Sequence, residues 1–307
     1  MREAHGGKSQ RQSFAYQSKI TRADANPTPK FNEITSMDIR FSNLCNLACR
    51  MCGPDTSSKI AMEYEDLGLI PKEKKIIPIR KASTEELDLE TAFRNINHVY
   101  FAGGEPLIME EHHKWITWLA DNNPDVDVRY STNGTTLKYK QTDFIDVWKK
   151  MRKVTVAVSV DGIGDKFDYV RYGNSYDNVI SNLKRLYENE WLDLNIRITV
   201  SIFNVGNLRE CMETLRAMFP RLWIQINILV DPDFYSAGIV PDEIRAKLIA
   251  ELEETGDKVY QPTINMLKMS SFDQEKWEKF CHITKILDAK RNQSFVDLYP
   301  EFKPWYK

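Results

Sequence analysis

Three cysteines within eight positions, Cys45, Cys49 and Cys52 in the run NLCNLACRMCG, are the residues of this 307-residue chain best suited by type and spacing to do chemistry. Thiolates are soft donors, and three on one tight loop can hold three irons of a [4Fe–4S] cluster. A ferredoxin supplies a fourth cysteine. Here Cys211 and Cys281 lie far off, each in a helical pattern, and read as small buried apolar residues. An iron left without a protein ligand offers the open position that catalysis uses. Two other readings stay open on these residues alone. A zinc site needs a distant histidine among His5, His98, His112, His113 and His282, none of which shows ligand spacing with the loop. An electron-transfer or carrier protein would hold a cluster without turnover.

Such a loop must be positioned by regular elements, and the pattern around it is βα. Strands are predicted at 37–43, 98–102, 126–133, 153–161, 194–202 and 222–230, with helices near 56–66, 84–95, 108–121, 142–151, 176–189 and 207–218. Strands separated by helices imply parallel crossovers. The strands also alternate. Leu194, Ile196, Ile198 and Val200 oppose Asn195, Arg197, Thr199 and Ser201; Val154, Val156, Val158 and Val160 oppose Thr155, Ala157, Ser159 and Asp161. Period two puts one apolar and one polar face on the sheet. Helices cover the first; a lumen accommodates the second. The expected fold is therefore α/β, a partial (β/α)6 TIM-type barrel with a polar lumen, over 37–230. Residues 1–36 read as a polar arm or linker, or the cut edge of a longer parent. Residues 67–83 hold a basic insertion. Residues 231–307 form a C-terminal extension, with helices expected at 242–254 and 273–291 and a tail from Phe295 that docks or stays loose.

Composition excludes several classes. With 42 Lys+Arg against 44 Asp+Glu the net charge is -2, so nothing draws the whole chain to nucleic acid or an anionic membrane. No apolar run approaches the ~18 residues of a membrane span. The opening MREAHGGKSQRQSF has no apolar core, so a secretory signal is not expected. Five cysteines, three of them clustered, suit a reducing compartment, and a cytoplasmic location is expected.

CNLACRMC after the first strand resembles the signature of the radical S-adenosylmethionine (radical SAM) superfamily. Other stretches fall in that family's order: Gly103-Gly104-Glu105-Pro106 after strand two resembles its GGEP motif, Thr132-Asn133-Gly134 ends strand three, and Ser159-Val160-Asp161-Gly162 ends strand four. Asp168 and Arg171 resemble the D-x-x-R of its SPASM/Twitch subgroup. Each stands at the C-terminal end of a strand, where barrel active sites form.

The resemblance implies an oxygen-sensitive enzyme with two cofactors, a [4Fe–4S] cluster on Cys45, Cys49 and Cys52 and S-adenosylmethionine (SAM). Reductive cleavage of SAM yields methionine and a 5′-deoxyadenosyl radical that abstracts hydrogen from a peptide, nucleotide or small-metabolite substrate. Gly103 and Gly104 would let backbone approach SAM, Glu105 accept from its ammonium, Arg171 pair with its carboxylate, and Ser159 and Asp161 hold the ribose. Thr132 and Asn133 would add contacts, and the backbone near Leu229 would meet adenine. A flavodoxin- or ferredoxin-type reductant is implied. Met51 stands where the family often has an aromatic residue, so a thioether rather than a ring would pack on adenine. SPASM and Twitch enzymes carry auxiliary clusters on later cysteines. Only Cys281 follows the barrel, so residues 231–307 are expected to be a cluster-free, Twitch-like or helical extension.

The polar face carries Arg40, Arg129 and Arg197 with Asp38 and Asp127. Internal salt bridges are one account of these charges, and an anionic substrate group is the other.

Overall fold

The computed structural model describes residues 33–71 and 88–306. The expected arm before residue 33, the basic stretch 72–83 and the start of the helix expected at 84–95 lie outside them.

Six strands form one parallel sheet: β1 (Ser36–Ile39), β2 (His98–Phe101), β3 (Asp127–Thr132), β6 (Lys153–Ser159), β7 (Asp193–Val200) and β8 (Trp223–Ile228). Between β3 and β6 lies a two-stranded hairpin, β4 (Lys138–Tyr139) and β5 (Thr142–Asp143). The large sheet runs β1-β2-β3-β6-β7-β8 without reversal. A doubly wound sheet reverses its order at a switch point; a sheet that advances steadily through right-handed crossovers keeps its helices on one side and curls. The fold is an open six-stranded half-barrel of the TIM type.

The alternation places residues as expected. Val99, Phe101, Val128, Tyr130, Val154, Val156, Val158, Ile196, Ile198 and Val200 are buried under the helices. Those helices are α1 (Ser58–Asp66), α2 (Leu89–Asn95), α3 (Glu110–Asn122), α4 (Phe144–Trp148), α5 (Gly164–Val170), α6 (Tyr176–Tyr187) and α7 (Leu208–Met218). Side chains remove the orphan N–H groups at several starts: Ser57 caps α1, Asp143 caps α4 and Ser175 caps α6.

Three expectations need correction. The helix expected over 142–151 is shortened to α4, because Thr142 and Asp143 pair back on Lys138 and Tyr139. The short α5 was not expected; a seven-residue helix entered through Gly164 carries too little periodicity to read. Beyond β8, helices α8 (Asp242–Glu254) and α10 (Gln274–Arg291) were expected, whereas α9 (Gln261–Met269) and α11 (Phe295–Leu298) were not. The tail docks: Phe295, Tyr299 and Phe302 are buried, and the Trp277 indole donates to the Trp305 carbonyl at 3.1 Å.

Candidate active site

The cysteine loop leaves β1 and is fastened at each side. The Cys45 N–H donates to Ser58 Oγ at 3.2 Å, at the start of α1, and Ser57 Oγ donates to the Leu47 carbonyl at 2.8 Å. Ala48 N–H reaches the Tyr172 carbonyl and Arg50 N–H the Val170 carbonyl, both at 2.8 Å. The segment after α5 thus runs as a ladder beside the loop and carries Arg171 between its two rungs.

Cys49 is buried; Cys45 and Cys52 are half-buried. A hydrogen bond to Cys52, with burial, pushes the Cys49 thiol up, and the same bond lowers Cys52. Burial pushes Cys45 up to about 11, helped by the neighbouring Cys49. Burial alone would pull Arg171 down, but Cys49 and Asp161 outweigh it, so the guanidinium stays charged. Among the described residues no three His, Cys, Asp or Glu side chains are gathered tightly enough for a single metal ion. Three thiols spread along a loop suit a group that offers each its own iron.

The Gly103-Gly104-Glu105 turn is pressed onto this loop. Gly104 has φ +49°, and a Cβ there would lie 2.2 Å from the Leu44 carbonyl oxygen. The next N–H, of Glu105, donates to that same oxygen at 2.8 Å. Only glycine allows the approach. The Glu105 carboxylate is buried; it accepts from Thr132 Oγ1 (2.8 Å) and Leu107 N–H (3.0 Å) on one oxygen and from Asn133 N–H (2.6 Å) on the other. Burial raises its pKa, against the pull of these donors. Asn133 Nδ2 donates to Asn46 Oδ1 at 2.9 Å and lies 3.8 Å from the Cys45 sulfur. The ends of β2 and β3 and the cysteine loop are one hydrogen-bonded unit.

From the end of β6, Asp161 accepts from Arg171 and, at 2.6 Å, from the Thr199 N–H on β7. Among the described residues, Arg171 Nε is buried with no partner. A guanidinium with a spare donor beside three thiols, and a carboxylate on a glycine turn against the same loop, match the two ends of an amino-acid zwitterion. The donor set therefore fits both expected groups, the cluster through the thiols and SAM through its charged end. Ser159 is half-buried on the lumen face. Leu229 N–H is used by the Val200 carbonyl, and Met51 is buried in the core.

Sequence reading passed over what lies behind the loop. Arg50, fully buried, turns away from the thiols. It donates to Asp288 Oδ1 (2.6 Å) and Gln293 Oε1 (2.9 Å) from one nitrogen and to the Tyr169 carbonyl (3.1 Å) from another, stacked 3.7 Å over the Tyr169 ring. Arg291, also from α10, pairs with Glu63, donates to the Ala48 carbonyl at 2.9 Å and lies over Tyr172. Cys211 and Cys281 are buried in helices α7 and α10.

A parallel half-barrel with a three-thiol loop at the mouth of its first strand defines a class of barrel enzyme that works on a redox cluster. The family model of the radical SAM superfamily matches residues 39–230, and the chain belongs to that superfamily. Its use of a [4Fe–4S] cluster and SAM comes with membership. The chain is 26% identical over 182 residues to the GTP 3′,8-cyclase of Campylobacter jejuni subsp. doylei, covering 58% of this chain and 49% of the relative. It is 23% identical over 224 residues to the probable GTP 3′,8-cyclase of Methanocaldococcus jannaschii, covering 70% and 67%. The chain thus spans about half the length of the first of these relatives. Native anSMEcpe with bound AdoMet superposes with a TM-score of 0.52 at 18% identity, over 75% of this chain and 62% of that one, a likeness of fold. Among the described residues no helix is long and apolar enough to cross a membrane.

Proposed function

We propose that Cys45, Cys49 and Cys52 hold the cluster, and that Glu105 and Arg171 receive the ammonium and carboxylate of SAM, with Thr132 and Asn133 holding Glu105 in place. Gly103 and Gly104 let the turn seat against Arg40 and the Leu44 carbonyl and so place Glu105, Asp161 orients Arg171, and Ser159 faces the ribose. When bound, the two groups together supply one-electron reductive cleavage of a sulfonium. The chain's own residues orient the amino-acid end, keep Glu105 and Arg171 out of bulk water, and leave the polar lumen open for a substrate. The observation that carries this reading is the single hydrogen-bonded unit of thiol loop, Glu105 turn and β3 end, with Arg171 on the ladder beside it. A flavodoxin- or ferredoxin-type protein is the proposed electron donor. The relatives' name favours a nucleotide among the substrate classes. The test is anaerobic reconstitution with iron and sulfide, reduction with dithionite, and assay for 5′-deoxyadenosine and methionine after SAM is added. Both products in equal amounts are expected; a loaded, reduced protein that forms neither would overturn the reading.

A further inference from the structure

Among the described residues, four arginines are buried, and each meets a carboxylate: Arg50 with Asp288, Arg171 with Asp161, Arg245 with Asp242 and Arg291 with Glu63. Of the carboxylates on the polar face, Asp38 is taken by Arg40 and Asp127 by Arg152, an exposed residue in the turn before β6. Arg197, half-buried at the middle of the lumen face, is different. Its partner is a neutral hydroxyl, Ser131 Oγ, at 2.8 Å from Nη1; among the described residues its Nε is buried with no partner, and no carboxylate lies within ion-pair distance. To reach Ser131 on β3 the guanidinium crosses β6, whose residue level with Ser131 is the small Ala157. Ser131 is itself bonded to the Tyr100 hydroxyl at 2.7 Å, so three strands hold the arginine in one orientation. Ser159 and Gln225 flank it in register.

A partly desolvated guanidinium fixed by a neutral anchor is a cation without its counter-charge. Its place relative to the proposed reaction is defined. The Arg197 carbonyl accepts from Val160 N–H at 2.9 Å, and two residues along β7 the Thr199 N–H meets Asp161. Arg197 therefore sits on the lumen floor one step beneath the Asp161–Arg171 pair.

We propose that Arg197, anchored by Ser131 and Tyr100, is the seat for a phosphate oxyanion of the substrate, and that the substrate is anionic. The inference rests on the radical SAM reading for where the substrate sits, and the two fail separately. Deoxyadenosine formation in the preceding assay does not require an added anion.

The test is calorimetric titration of GTP and of inorganic pyrophosphate into the reconstituted, SAM-loaded protein, beside a titration of SAM into the SAM-free form. Wild type is expected to bind at least one of the two anions. Arg197→Gln is expected to weaken that binding tenfold or more, Arg197→Lys to recover part of it, and Ser131→Ala, which keeps the charge but frees it, to weaken it a few fold. Arg152→Gln, which removes an exposed cation in the turn before β6, controls for net charge and is expected to change it less than twofold. Thermal melts of each variant identify any that fail to fold, and Ser131→Ala then carries the test. The proposal is overturned if wild type binds neither anion, if Arg197→Gln binds them as wild type does, or if it is SAM whose affinity falls, since the seat would then serve the SAM carboxylate.

Discussion

The cysteine loop faces two unlike regions. Behind it, Arg50 and Arg291 are matched by Asp288 and Glu63, by backbone carbonyls and by the faces of Tyr169 and Tyr172. In front of it, Arg171 shares one carboxylate with a backbone N–H, and Arg197 has a hydroxyl. The same side chain serves opposite ends. A guanidinium whose charge is fully answered by protein groups fixes a loop, and one left partly unanswered is ready for a ligand. Orphan nitrogens alone do not separate the two, since Arg50 and Arg291 each carry one as well. Charge balance sets Arg197 apart, and Arg171, which has Asp161, differs from the rear pair by its place beside the thiols.

The strongest way to break the comparison is at the thiols between the regions. Replacing any of Cys45, Cys49 or Cys52 by Ala is expected to abolish the cluster's visible absorbance and deoxyadenosine formation, whereas Cys211→Ala and Cys281→Ala retain both. Loss of cluster absorbance in either of the last two would mean the ligand set is misassigned. Next comes the rear clamp. Asp288→Ala leaves Arg50 buried without its counter-charge and is expected to cost about 3–5 kcal/mol in denaturant unfolding, with lower iron content after reconstitution. A variant as stable as wild type would show that the rear region does not brace the loop. The joint between regions is tested by Gly104→Ala, where positive φ and the Leu44 carbonyl both resist a Cβ. A loss of roughly 1–3 kcal/mol is expected, read by the same unfolding curves.

The last prediction contrasts the sheet's two faces. His112, on α3 under the apolar face, is fully buried, bonded to the Tyr130 hydroxyl at 2.9 Å, and burial pulls its pKa down to about 3. Below about pH 6.5 the unfolded chain takes up a proton that the folded chain refuses. Stability therefore falls by about 1.4 kcal/mol per pH unit from there toward pH 3 on account of this group. The difference between wild type and His112→Gln in unfolding free energy at pH 7 and pH 5.5 isolates it; equal pH dependence in the two would refute the assignment.

Much of this was legible in the sequence because local chemistry is written locally. Period-two strands gave the two faces of the sheet, and the strand-end runs put Glu105, Thr132 and Asn133 at the ends of neighbouring strands. Arg50 was not legible. An arginine between two cysteines reads as loop charge, and its acceptor is 238 residues away on a helix whose own pattern says only that it is buried. Arg197 was legible as a lumen cation but not as an unpaired one. Deciding between salt bridge and ligand seat required knowing that Asp38 goes to Arg40 and Asp127 to Arg152.

The span from Arg50 to Asp288 also bears on biosynthesis. At about 5–20 residues per second a ribosome needs roughly 10–50 s to make the intervening chain. Throughout that interval the thiols are in the cell without the helix that later closes behind them. Iron delivery during translation would meet an unbraced loop, and delivery after release would meet a finished one. Pulse-labelled iron incorporation into stalled and released chains distinguishes these two orders of assembly.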